Sequence, residues 1–306
     1  MKADDLLTRF GAAPEALPPA SGKRFPDGAD FRIEVSSVEG PAVLAAIVRD
    51  AAERGVVVNR VSQGSGAMVL SEADMREMSA IGADAGLEIS LFIGPREEWG
   101  GGVQAHAPDG PSLHGQIRGM QEFRYAVEDV LRAIDCGIRG FLIADSGLLR
   151  ILVQAQRSGE IPAEVVWKLS AIAAPSNPVA LQVWVELGAS TVNLPSDLSL
   201  GELAAMRAAV DVPLDLYVEA PDGMGGIVRG EQIADLVTLG APMYTKFGLR
   251  NSQPLYPAGL HMEQAAILIA REKVHRAQVA MEWLRRCGST AVQSAPGAVG
   301  LGIPVR

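Results

Sequence analysis

Hydrophobic and polar positions along the chain follow one repeated phrase. A helical stretch rich in Ala and Leu ends in a glycine, at 55, 86, 137, 188 and 240, and a short apolar, β-branched run follows. "AAERGVVVNRV", "GADAGLEISLFIG", "AIDCGIRGFLIAD", "VELGASTVNLP" and "VTLGAPMYTKFG" are five instances. The glycine suits a helix C-terminus, where the chain turns through positive φ. The runs are apolar on both faces, as strands of a buried parallel sheet are.

This pattern predicts eight strands, at 31–37, 56–62, 87–94, 138–144, 165–172, 190–195, 212–219 and 242–248. It predicts helices near 40–54, 71–85, 121–136, 147–158, 177–187, 199–209 and 228–239, and a long last helix over 261–286. Alternation of this kind implies a parallel sheet covered by helices. Eight even units in about 260 residues fit a single (β/α)₈ barrel, a TIM barrel. An open, doubly wound sheet is the rival, but no G-x-G-x-x-G follows the first strand. The expected division is an N-terminal extension over 1–30, the barrel over 31–290 and a C-terminal tail over 291–306. The apolar face of the 261–286 helix offers a surface for a homo-oligomer.

Composition narrows the classes. Of 306 residues 48% are hydrophobic, enough for a sizeable core, and the net charge is −9. An acidic chain of this kind disfavours nucleic acid and anionic membrane surfaces, and no run of 18 apolar residues is present to span a bilayer. Two cysteines, Cys136 and Cys287, without a secretory leader point to a reducing, cytoplasmic and bacterial-type setting, and exclude a four-Cys cluster in one chain.

In a barrel the active site lies at the C-terminal ends of the strands. Polar or charged residues occupy late strand positions all the way round: Glu34, Arg60, Arg96, Asp145, Lys168, Asn193, Glu219, Lys246, Arg250 and Asn251. A barrel interior is ordinarily filled by Val, Ile and Leu. Buried charges must therefore neutralise one another or meet a ligand. The cations suit a small anionic metabolite, carboxylate or phosphate. Lys168 and Lys246 are candidates for a Schiff base or for electrostatic stabilisation, with Glu219 as a general base tuned by them. In "LDLYVEAPDGMGG" (214–226), Glu219 ends a strand, and glycines at 223, 225 and 226 follow it. No cofactor is required by these residues. A Mg²⁺ held by Glu34, Asp145 and Glu219 is the one metal site they suggest, since none of the four histidines lies on a strand. The 97–119 segment, with Trp99, His106 and His114, is expected to be a lid.

The stretch "WVELGASTVNLPSDLSLGELAAMRAAVDVPLDLYVEAPDGMGG" resembles the U32 peptidase-like family: an LGA turn, a short strand, a helix starting at LSL and a strand ending in Glu follow in that order. The resemblance implies a barrel and matches Glu219 to the family's glutamate. Where that family carries His-Gly and two cysteines after strand seven, this chain reads "APDGMGG". The expected function is a barrel enzyme of lyase or isomerase type acting on a small anion. A U32-like hydrolase and a non-catalytic metabolite-binding barrel are the alternatives.

Overall fold

The computed structural model describes residues 3–12, 16–94 and 115–306. Eight parallel strands close into one barrel in chain order: β1 (Phe31–Ser36), β2 (Arg60–Gln63), β3 (Glu88–Phe92), β4 (Gly140–Ile143), β5 (Val166–Leu169), β6 (Thr191–Asn193), β7 (Leu214–Glu219) and β8 (Met243–Phe247). β8 pairs with β1, which leaves no edge and removes the open-sheet alternative. Each expected strand is present, though several are shorter than the apolar run that announced them.

The helices are α1 (Ala3–Arg9), α2 (Pro41–Arg54), α3 (Glu72–Ala85), α4 (Gly119–Asp135), α5 (Ser146–Ser158), α6 (Pro178–Leu187), α7 (Leu200–Ala209), α8 (Ile233–Gly240) and α9 (Glu263–Arg286). Their ends follow local chemistry. Ser71 and Ser199 each form a capping box, with Asp74 and Glu202 three residues on. Gly55 and Gly86 close α2 and α3 at φ 65° and 62°. Gly240 differs from that expectation, since it sits in the last turn of α8 and Ala241 is the cap. Its reason is space: a Cβ there would come 2.8 Å from Met243 Sδ.

The main core lies between the sheet and the helices, with Phe31, Ile33, Leu91, Phe141, Trp167, Leu216 and Phe247 facing outward from the strands. α9 completes this layer. Its small-residue face, Ala266, Ala270, Ala277 and Ala280, is buried in the barrel wall. The apolar stripe that suggested an oligomer surface is thus used inside the chain, where small residues let a long helix lie close to its neighbours.

The N-terminal end of the barrel is closed by both ends of the chain. Ser21 donates to Ala241 O at 2.5 Å, and Lys23 Nζ to Val210 O at 2.6 Å. Phe25 packs with Ala29, Tyr244 and Leu301. Arg32 leaves β1 downward and donates to Ser294 Oγ (3.0 Å), Tyr244 Oη (3.0 Å) and Val299 O (2.7 Å). Gly302 N donates to Glu88 Oε2 at 3.1 Å, and Val305 N to Gly137 O at 2.8 Å.

The close approach of residue 302 to the barrel floor yields a stability prediction. A Cβ there would meet Arg139 O at 2.6 Å, and the backbone on both sides is fixed. Gly302→Ala should lose about 1–3 kcal/mol to overpacking. Gly223→Ala, with nothing within 4 Å, should change stability little. Urea unfolding of the two variants beside the parent measures the difference, and equal midpoints would refute the tight closure.

Candidate functional site: an ion lattice inside the barrel

Alternate strand residues face the barrel interior, and in this chain most of those at mid-height are polar. Arg60 on β2 is fully buried and touches three carboxylates: Glu88 Oε1 lies 2.7 Å from its Nε, and Asp215 Oδ1 and Glu34 Oε2 lie 3.2 and 3.3 Å from its Nη1. Its guanidinium stands 3.5 Å from the ring centroid of Tyr244. Burial would lower the Arg60 pKa, but Glu88, Tyr244 and Asp215 outweigh it and hold the charge firmly.

Above Arg60 sits Glu34, which bridges two lysines. Its Oε2 is in contact with Lys168 Nζ, and its Oε1 lies 3.2 Å from Lys246 Nζ and accepts from Ser62 Oγ at 2.7 Å. Burial pushes the Glu34 carboxyl up, yet Lys168, Lys246 and Arg60 together hold it well below the usual carboxylate range. Lys168 is fully buried and also lies 3.3 Å from Asp215 Oδ2. Its amine is lowered to about 8, chiefly by burial, against the pull of Asp215 and Glu34. Lys246 lies nearest the strand ends, 3.3 Å from Asn193 Oδ1 and 4.5 Å from the face of Tyr217. Asn193 in turn donates to Leu169 O at 2.6 Å, which fixes its amide. Phe92, Leu142 and Ala144 form the apolar side of this upper layer.

Five of the residues singled out in the sequence therefore meet: Glu34, Arg60, Lys168, Asn193 and Lys246. The others do not join them. Glu219 leaves the interior because β7 carries a register shift between Tyr217 and Glu219. Tyr217 faces Lys246, but Glu219 is paired with the outward-facing Phe247. Its carboxylate accepts from Arg250 N at 3.0 Å and lies 3.7 Å from Arg276 Nε on α9. The expectation that it points into the mouth beside the lysines is corrected by that bulge. Asp145 is occupied as the N-cap of α5, accepting from Leu148 N at 2.8 Å and from Ile117 N at 3.1 Å. Arg250 and Asn251 lie on the loop after β8. There Asp222 faces the Arg250 guanidinium at 3.6 Å and accepts from Asn251 N at 2.5 Å. Arg96, and the expected lid from 97 to residue 114, lie outside the described residues.

Three participants escaped the sequence reading. Asp215 and Glu88 share the interior parity of Tyr217 and Ser90, but stand early in their strands, where a search confined to strand ends passes over them. Lys273 lies on the buried face of α9, a lone charge among alanines. It donates to Ser36 O at 2.7 Å, and burial lowers its pKa to about 8 against the opposing pull of Glu39. Glu39 accepts from Gly64 N and Ser65 N, both at 2.9 Å, and ties the loops after β1 and β2 together.

Among the described residues no three His, Cys, Asp or Glu side chains gather as a metal site. Glu34, Asp145 and Glu219, the set expected to hold Mg²⁺, are turned to separate partners. No helix among those residues is long and apolar enough to cross a membrane. A cavity of about 120 Å³ lies apart from the lattice, between Glu39, Pro41, Leu70, Leu260 and Glu263.

A TIM barrel with a charged interior is the class that these observations define. Residues 116–220 match the family described as Peptidase family U32. The resemblance to that family read from the sequence is thus borne out over this stretch, roughly a third of the chain. No curated protein matches the chain. Among solved structures, that of the U32 peptidase Mk0906 is similar over 68% of this chain and 73% of its own, at 18% identity and a TM-score of 0.40. A proposed fructose-1,6-biphosphate aldolase from Coccidioides immitis is similar over 85% and 91%, at 16% identity and a TM-score of 0.49.

Two predictions follow from the lattice. Arg60→Met leaves Glu34, Glu88 and Asp215 facing one another without their shared cation, and should cost about 3–5 kcal/mol in chemical denaturation. A loss below that of an ordinary surface pair would show that Arg60 is not what holds them. For Lys273, stability should rise with pH between about 8 and its ordinary value of 10.5. In that window the unfolded amine still binds its proton and the buried one does not. Below about 8 both forms are protonated, and the contribution to the slope vanishes. Lys273→Met should remove up to about 1.4 kcal/mol per pH unit of that rise. Parallel denaturation curves for parent and variant across pH 7–10 measure it, and an unchanged difference would refute the buried cation.

Proposed function

We propose that this barrel is an enzyme acting on a small anionic metabolite, carboxylate or phosphate, by lyase- or isomerase-type acid–base chemistry. The observation that carries the reading is Glu34 bridging Lys168 and Lys246 beneath the strand ends. Lys246, uppermost of the three, is placed to meet a ligand's anionic group or carbonyl oxygen and to stabilise negative charge developing there. Lys168, with its amine brought to about 8, is the lattice member able to accept and return a proton near neutral pH. Glu34 touches both amines, one through each carboxylate oxygen, and holds them in place. Glu219 holds the Arg250 amide and shapes the rim. The acidic net charge and two cysteines support a cytoplasmic setting.

The U32 match over residues 116–220 favours one other reading, a hydrolase related to that family. Substrate type separates the two: an acid–base lyase or isomerase responds to small acids, a hydrolase of that kind to peptides.

Thermal-shift titration of the full chain with small carboxylates and phosphates tests the proposal, because a ligand that binds only the folded state raises stability with its concentration. The parent should be stabilised. Lys246→Met should lose most of the response while remaining folded, the cost of removing the contact cation. Borohydride reduction in the presence of pyruvate distinguishes the covalent from the electrostatic role, since a trapped imine adds mass at Lys168 or Lys246. Full ligand response in Lys246→Met would remove Lys246 from the site.

A further inference from the structure

The proposed site leaves two anion classes open, and the loops after β7 and β8 decide between them. In TIM barrels these are the loops whose free backbone N–H groups commonly receive a phosphate. In this chain several of those groups are already in use. Met224 N and Gly226 N donate to Pro221 O at 2.9 and 3.1 Å, and Gly225 N to Asp222 O at 3.1 Å. Gly248 N donates to Glu219 O at 2.7 Å. Two amides further along meet side-chain carboxylates: Arg250 N donates to Glu219 Oε1 at 3.0 Å, and Asn251 N to Asp222 Oδ2 at 2.5 Å. Two of the chain's own anions thus stand where a phosphate would. The packing is close as well, since a Cβ on Gly248 would come 2.7 Å from Pro221 Cδ.

The lattice below points the same way. Lys246 is the upper cation, and Glu34 Oε1 is already 3.2 Å away. A dianion there would face the Glu34 carboxylate at short range in a dry interior, where like charges repel strongly. A singly charged carboxylate, taking the place of the contact of Lys246 with Asn193 Oδ1 at 3.3 Å, would meet about half that repulsion from Glu34.

We infer that the ligand of this barrel is a small carboxylic acid and not a phosphate ester, with Asp222 and Glu219 acting as built-in occupants of the phosphate position. The inference rests on the reading of the strand ends as a small-anion site. Asp222 is the element that can be tested alone, because it lies on a surface loop with its side chain half exposed.

The test is thermal-shift titration of the full chain with pyruvate, acetate and succinate against inorganic phosphate and glycerol 3-phosphate, at matched ionic strength. The parent should be stabilised by at least one carboxylate and by neither phosphate. Asp222→Ala, which uncovers Asn251 N, should gain a concentration-dependent response to phosphate. Asp222→Asn, which keeps the shape and removes the charge, should gain a smaller one. Phosphates stabilising the parent as well as the carboxylates do would overturn the inference while leaving the small-anion reading intact. An Asp222→Ala protein, folded by circular dichroism and indifferent to phosphate, would overturn the role given to Asp222. If no anion moves the parent, and Lys246→Met behaves identically, the small-anion reading itself fails.

Discussion

Glu34 is the residue on which the arrangement of the barrel interior depends. One carboxylate, fully buried, meets Arg60 below, Lys168 beside it and Lys246 above. None of these cations would be tolerated unpaired in a dry interior. Each fixes the others through the shared acid, and Asp215 and Glu88 complete the balance of three carboxylates with three cations. A barrel stuffed with Val, Ile and Leu is stable but chemically inert. Here mid-height packing is traded for a set of charges whose proton affinities are coupled.

The two lysines of the lattice stand in different surroundings. Lys168 is enclosed, with Lys246 and Arg60 as like-charged neighbours, and its amine is displaced toward neutrality. Lys246 lies at the top of the lattice, against Asn193 and the face of Tyr217. The closed N-terminal end contributes too: Gly302 and Arg32 hold the lower layer against Glu88 and Tyr244.

The fold was legible because its signal is repeated. Helix, glycine and apolar run recur, and the closing glycines Gly55 and Gly86 adopt the positive φ their place required. The lattice was legible in part. Glu34, Arg60, Lys168 and Lys246 alternate with apolar residues on strands, and parity alone brings them inside. Glu219 was misplaced because a bulge shifts parity by one residue without leaving a mark in the apolar pattern. Asp215 carries the right parity four residues earlier. Asp145 shows a second limit: a carboxylate just after a strand also begins a helix, and capping that helix took one oxygen while Ile117 N took the other. Lys273 was hidden because a lysine on a long helix normally reaches solvent, and only the depth of α9 against β1 keeps it buried.

The bulge in β7 also says something about how such a barrel changes over generations. Two acids, Asp215 and Glu219, stand four residues apart on one strand; Asp215 faces Lys168, and the register shift that follows turns Glu219 outward. In an unbroken strand both acids would share one face, so a single extra residue sets the surroundings of Glu219 with no change in the charged residues themselves. An insertion or deletion in a short strand is thus a chemical edit as much as a structural one. Lineages descended from a common barrel can diverge in reactivity while their alignments show the same acids and the same lysines throughout.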